Sequence, residues 1–163
     1  MRYFQIVVFL SGMICTTLGC THVAEDNTED QLSVNMIESG QYSNHPQEGI
    51  IEKVISSSAE FRSAWEAVHT GRSPMPEIPE IDFEEQMVIL VMLESKNSGG
   101  FDIDGFQVRK DTTGLVVEYA EVQPGSNCMT TQAISRPYRL VSFPKTGEDI
   151  RFEQQEPIIN PCE

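Results

Sequence analysis

The sequence predicts an α+β protein, mainly β, built as an antiparallel sheet or small, partly closed barrel of about seven strands with one packed helix. Three observations carry this expectation. Residues 87–93 (MVILVML) form an unbroken apolar run bounded by a turn, the pattern of a strand buried on both faces. One helical stripe, Phe61, Ala64, Trp65 and Val68, follows a capping signal at Ser57. The carboxy-terminal half alternates apolar and polar residues between clusters of Gly, Pro, Asp and Asn.

In chain order, residues 33–41 alternate through Val34 and Met36 and read as an opening strand. Residues 42–49 (YSNHPQEG) are a turn, and residues 50–55 a second strand. Ser57-Ser58-Ala59-Glu60 is a capping box that starts the helix, and Gly71 is expected at its C′ position. Trp65, the sole tryptophan, shares the apolar stripe and is read as core. Pro74, Pro76 and Pro79 exclude helix from residues 72–80. The central strand follows, then a turn containing Gly99 and Gly100. Phe101 and Ile103 alternate in one phase, Phe106 and Val108 in the other, so a β-bulge is expected beside Gly105. Asp111-Thr112-Thr113-Gly114 is a hairpin turn. Residues 115–122, 137–143 and 150–152 complete the strands, with loops at 124–127 and 145–148.

The chain has 163 residues and a formal charge of −14. Such an acidic protein is poorly suited to nucleic acid or to an anionic membrane surface. Residues 1–19 carry Arg2, no acid, and an apolar run from Phe4 to Ile14 that is too short to span a bilayer. Thr17-Leu18-Gly19-Cys20 resembles the bacterial lipobox. That resemblance implies a lipoprotein signal peptide over 1–19 and acyl chains (a diacylglycerol and a fatty acid such as palmitate) on Cys20. More than one chain is what stable anchoring requires. Thr21, rather than Asp, after the Cys implies the outer membrane rather than the inner. Residues 20–32, acidic and poor in apolar residues, read as a lipidated flexible tether, leaving 33–163 as a single domain.

Loss of Cys15 with the signal and acylation of Cys20 leave Cys128 and Cys162, a disulfide candidate in an exported protein. The chain-entropy model gives such a bond roughly 3–4 kcal/mol. His22, His45 and His69 lack metal-ligand spacing, and Asp102-Ile103-Asp104-Gly105 begins like a calcium loop without completing one. No metal, cofactor or catalytic set is expected. A hydrolase would need carboxylates that meet only in space.

From Met87 onward the chain resembles the carboxy-terminal domain of the PrcB family, named for a subunit of a bacterial surface protease complex. The matching pieces are residues 87–93, Ser98-Gly99-Gly100-Phe101-Asp102-Ile103, residues 115–122, Pro124-Gly125-Ser126-Asn127-Cys128, Met129-Thr130-Thr131-Gln132 and Arg136-Pro137-Tyr138-Arg139-Leu140-Val141. The best match covers 87–152. The resemblance implies a non-catalytic, protein-binding envelope protein that binds or stabilises another envelope protein, a protease complex among the candidates. Gly99, Gly100, Phe101, Arg136, Pro137 and Tyr138 are expected to form a binding edge. An alternative is a protease inhibitor of the chagasin type, because Arg136-Pro137-Tyr138 resembles that family's Arg-Pro-aromatic loop and Ser98-Gly99-Gly100-Phe101 its Thr-Gly-aromatic loop. The family's Asn-Pro-Thr element has no counterpart here.

Overall fold

A computed structural model describes residues 31–162. The expected signal peptide, the lipidated Cys20 and the tether up to residue 30 lie outside the described residues. Eight strands and one helix occur in the order β1 (Gln31–Leu32), β2 (Asn35–Gly40), β3 (Ile51–Ile55), α1 (Ser58–Val68), β4 (Gln86–Met92), β5 (Asp102–Asp111), β6 (Gly114–Pro124), β7 (Tyr138–Pro144) and β8 (Ile150–Asn160). They form two four-stranded sheets, ordered β1-β5-β6-β8 and β2-β7-β4-β3.

The mainly β, α+β class with one helix is as expected. The sheet does not close into a barrel: it divides into two packed layers with the helix as a third. The reason lies in β4, an interior strand between β7 and β3. Its side chains alternate between two cores. Val88, Leu90 and Met92 join Ile55, Phe61, Trp65, Val68 and Leu140 beneath the helix. Ile89 and Val91, with Leu93 beyond them, join Ile103, Val108, Val117, Tyr119 and Phe143 against the other sheet. The unbroken apolar run is thus a strand that must satisfy a layer on each side.

The helix begins as its capping box requires. The Ser57 hydroxyl accepts from Glu60 N, while the Glu60 carboxylate takes the backbone N–H of Ser56. Phe61, Ala64, Trp65 and Val68 are its buried face, and the Trp65 indole donates to Pro76 O at 3.2 Å. The helix stops earlier than Gly71 suggested: His69 is the C-cap, and Gly71 follows at φ +81° in the turn beyond. Gly105, at φ +62°, marks a register shift between Asp104 and Gln107, which is the expected bulge. The two-residue loop Thr112-Thr113 closes the β5–β6 hairpin.

Two features differ from expectation. Gln31–Leu32, read as tether, pair with Arg109 and Val108 of β5. The last strand continues to Asn160 and runs parallel to β6 instead of antiparallel. Because β7 belongs to the other sheet, it acts as the crossover that a parallel pair needs. It returns the chain to the start of β6, so β8 must run alongside β6 in the same direction. Its second half is exposed, contains Pro157, and lacks the apolar alternation that reveals a strand; an edge position tolerates all three.

Candidate functional site

Past the ends of β4 and β6, residues 94–101 and 125–137 meet in a seam. Leu93 N donates to Pro137 O at 2.9 Å, and Lys96 and Ser135 exchange both backbone hydrogen bonds at 2.8 and 3.0 Å. The Ser135 hydroxyl donates to Ser98 O at 2.6 Å, and Gly99 N to Thr131 O at 3.0 Å. The Gly-Gly-Phe turn and the Arg-Pro-Tyr segment are therefore neighbours, although they lie far apart in sequence.

The seam is held from within by Arg136, which is 5% exposed. Its guanidinium donates to Leu93 O at 3.1 Å, His45 O at 2.8 Å and Gly49 O at 2.8 Å. The planar fork thus satisfies carbonyls from separate segments through three different nitrogens, where a lysine would offer only one. Burial lowers its pKa from the ordinary value, and the nearby Glu48 carboxylate opposes that. Pro137 is buried. Tyr138 is 1% exposed, and its hydroxyl donates to Glu38 Oε1 at 2.7 Å and accepts from Arg72 at 3.2 Å. Arg136, Pro137 and Tyr138 accordingly build the edge and do not present side chains on it. Of the six residues expected to form a binding edge, Arg136 and Tyr138 thus support it from within through buried hydrogen bonds. The same burial removes the loop that the inhibitor alternative needs, and nothing supports that alternative.

Gly99, Gly100 and Phe101 form the other side. A Cβ on Gly99 would lie 2.4 Å from the Thr131 hydroxyl oxygen. Gly100 sits at φ +90°, where a Cβ would lie 3.2 Å from both Pro124 and Thr130. Phe101 is half-buried, with the Lys96 ammonium 5.3 Å from its ring centroid. That ammonium also pairs with Glu121 at 2.9 Å and Glu94 at 3.2 Å. Burial lowers its pKa, but the two carboxylates outweigh this and raise it overall, so Lys96 is charged. The Glu121 carboxylate is held by Lys96 and by Gln123 at 3.1 Å.

The disulfide Cys128–Cys162 closes the same end, with Cα atoms 5.5 Å apart. Gly125 N donates to Asn160 O at 2.8 Å, carrying the β6–β8 pairing into the loop.

A second cluster escaped the sequence reading. His69, wholly buried, stacks on Trp65 with centroids 4.4 Å apart and places Nε2 3.1 Å from Glu38 Oε2. Glu38 also takes the Tyr138 hydroxyl and lies 3.8 Å from Arg72. Burial lowers the His69 pKa, Glu38 raises it and Arg72 lowers it. The contact joins strand β2 to the end of α1, and no spacing in the sequence reveals it. An open groove of about 690 Å³ lies elsewhere, between α1 and residues 78–83, lined by Phe61, Arg62, Ile78, Glu80, Ile81 and Asp82 among others. Among the described residues, no group of three or more His, Cys, Asp or Glu is placed to hold a metal ion.

No curated protein and no solved structure matches the chain. Residues 87–144, the stretch from β4 through β7 that contains both sides of the seam, match the family model described as PrcB C-terminal.

Proposed function

We propose that this protein is a non-catalytic, protein-binding component of the bacterial cell envelope that binds or steadies another envelope protein, with a protease complex as the first candidate. The observation that carries the reading is the match of residues 87–144 to a family named for a protease-complex subunit. The matched segment contains the seam, whose buried Arg136 and paired loops give a rigid surface suited to recognition. Anchoring through acyl chains on Cys20, in the outer membrane and facing the periplasm or the cell surface, follows from the lipobox-like Thr17-Leu18-Gly19-Cys20. The acidic balance argues against nucleic acid as a partner.

A crosslinking pull-down from envelope membranes, with the acylated full chain as bait, tests this. The expected result is a protease or protease-complex subunit recovered repeatedly above an untagged control, with loss of membrane fractionation in Cys20→Ser. Recovery of lipid and abundant bystanders alone would reject it.

A further inference from the structure

Strand β8 ends its sheet and has a neighbour, β6, on one side only. The register shows which of its backbone groups are left open. Leu115 N donates to Asp149 O at 2.8 Å, with Leu115 opposite Ile150. In a parallel pair the N–H and C=O of one residue point to the same side, and successive residues alternate. Arg151 and Glu153 therefore bond toward β6, while Ile150, Phe152 and Gln154 turn their N–H and C=O groups to the open side. Beyond them the register shifts between Ala120 and Val122. After the shift Gly125 N donates to Asn160 O, so Pro157 and Ile159 face outward, and Pro157 has no N–H to offer. The open ladder is thus confined to residues 150–154.

The side chains along this edge alternate in chemistry as well. Ile150 and Phe152 are half-buried on the core side. Arg151 and Glu153 lie on the outer face, where Arg151 pairs with Asp111 at 2.7 Å and Glu153 with Arg109 at 3.3 Å. Their side chains stay 47% and 48% exposed, so each can take a second partner. A free edge of this kind is a template for another strand, and its charges decide which strand fits.

A second copy of the chain fits it. Laid antiparallel about a two-fold axis at Phe152, two β8 strands set residue 150 of one copy opposite 154 of the other, and 152 opposite 152. All of these turn their N–H and C=O groups toward one another, so each pair exchanges both backbone hydrogen bonds. Arg151 of each copy then falls opposite Glu153 of the other, in the closely spaced positions without backbone hydrogen bonds where cross-strand side chains approach most. Asp149 faces the neutral Gln155. Glu148, already paired with Lys110, would meet Glu156 only past the register shift, where the ladder has ended. An axis at 151 or 153 opposes Arg151 or Glu153 to itself, and an axis at 150 or 154 carries the ladder out of β8 or into the shift. The formal charge of −14 repels two copies at long range, so the local match at this edge decides the pairing.

We propose that the chain self-associates through this edge, joining the β1-β5-β6-β8 sheets of two copies into one continuous sheet, with Arg151 and Glu153 setting the register. This goes beyond the envelope-partner reading and does not depend on it. Differently tagged full chains, co-expressed and extracted in a non-ionic detergent, test it at about 0.15 M salt, where exposed charges more than about 8 Å apart are screened. Wild-type copies should co-purify. Arg151→Glu with Arg151→Glu, and Glu153→Arg with Glu153→Arg, should co-purify severalfold less, because each combination opposes like charges at both positions. Arg151→Glu with Glu153→Arg should recover the wild-type yield, because both cross-pairs become attractive again. The two chains of that mixture are the ones that fail alone, so a misfolded variant cannot imitate the recovery, and thermal melting verifies that each variant folds. A photoreactive residue at the exposed Gln154 of the otherwise wild-type chain should give an adduct to residues around Ile150 of a second copy. Wild-type copies that do not co-purify, single variants that pair as well as wild type, a mixture that pairs no better than its parts, or an adduct from position 154 to a different protein or to lipid would each overturn the proposal.

Discussion

Arg136 donates to the carbonyls of Leu93, His45 and Gly49 from a position almost closed to solvent. Replacing it with methionine keeps much of the volume but strands those acceptors, and each buried unsatisfied group costs on the order of 1–3 kcal/mol. Arg136→Met is expected to lower stability by about 3–5 kcal/mol, read from urea unfolding; a loss under about 1 kcal/mol would contradict the clamp. Gly100 at φ +90° is a second point of dependence, since a side chain meets both an unfavourable backbone region and the contacts with Pro124 and Thr130. Gly100→Ala should cost about 1–3 kcal/mol by the same measurement. Gly99→Ala differs in kind, because its obstacle is the Thr131 hydroxyl, which can be removed. Much of its cost should vanish in a Thr131→Ala background, whereas the cost of Gly100→Ala should persist there.

At the scale of elements, β8 is an edge strand whose second half has little apolar burial to hold it. What holds it is backbone pairing with β6, the Gly125–Asn160 hydrogen bond and the disulfide, which spans a sequence separation of 34. Closing a loop of that length is worth roughly 3–4 kcal/mol through the unfolded chain. The Cys128→Ser/Cys162→Ser pair should lose about 2–4 kcal/mol. Its amide exchange should accelerate first over residues 155–160, before β4 and β7 respond. Uniform acceleration across both sheets would show instead that the bond governs the whole domain.

For the whole molecule, stability should form a dome in pH. Burial lowers the pKa of His69 and of His45 below 6.5, so both are favoured neutral in the fold. Their contribution is complete above about pH 6.5 and declines as pH falls through the folded values, because the unfolded chain binds the proton more readily. Asp111, held by Thr113 and Arg151, and Glu60, held by Ser56 and Ser57, are also lowered and add a further loss at more acid pH. On the alkaline side, burial and the Glu38 hydrogen bond push Tyr138 up to about 12, so its contribution is lost as pH rises from about 10 through that value. Burial and Glu52 raise Tyr119 as well. Chemical unfolding across pH should show falling stability between about pH 7 and 5. His69→Asn should flatten that segment; an unchanged slope would exclude His69 as its source.

Local features were legible in the sequence because their causes are local. The capping pair Ser57 and Glu60, the helical stripe ending at Val68, the phase slip at Gly105 and the hairpin at Thr112-Thr113 each depend on residues within a few positions. The run 87–93 also announced burial on both faces, because no polar residue interrupts it. The division into two sheets, the parallel course of β8 and the inward turn of Arg136, Pro137 and Tyr138 were not legible there. Each is decided by partners distant in sequence: β7 crossing to the other sheet sets the direction of β8, and the carbonyls of His45 and Gly49 draw the Arg136 guanidinium inward. Periodicity records which face of an element is apolar. Only the assembled layers determine what covers that face, and where a buried charge finds its acceptors.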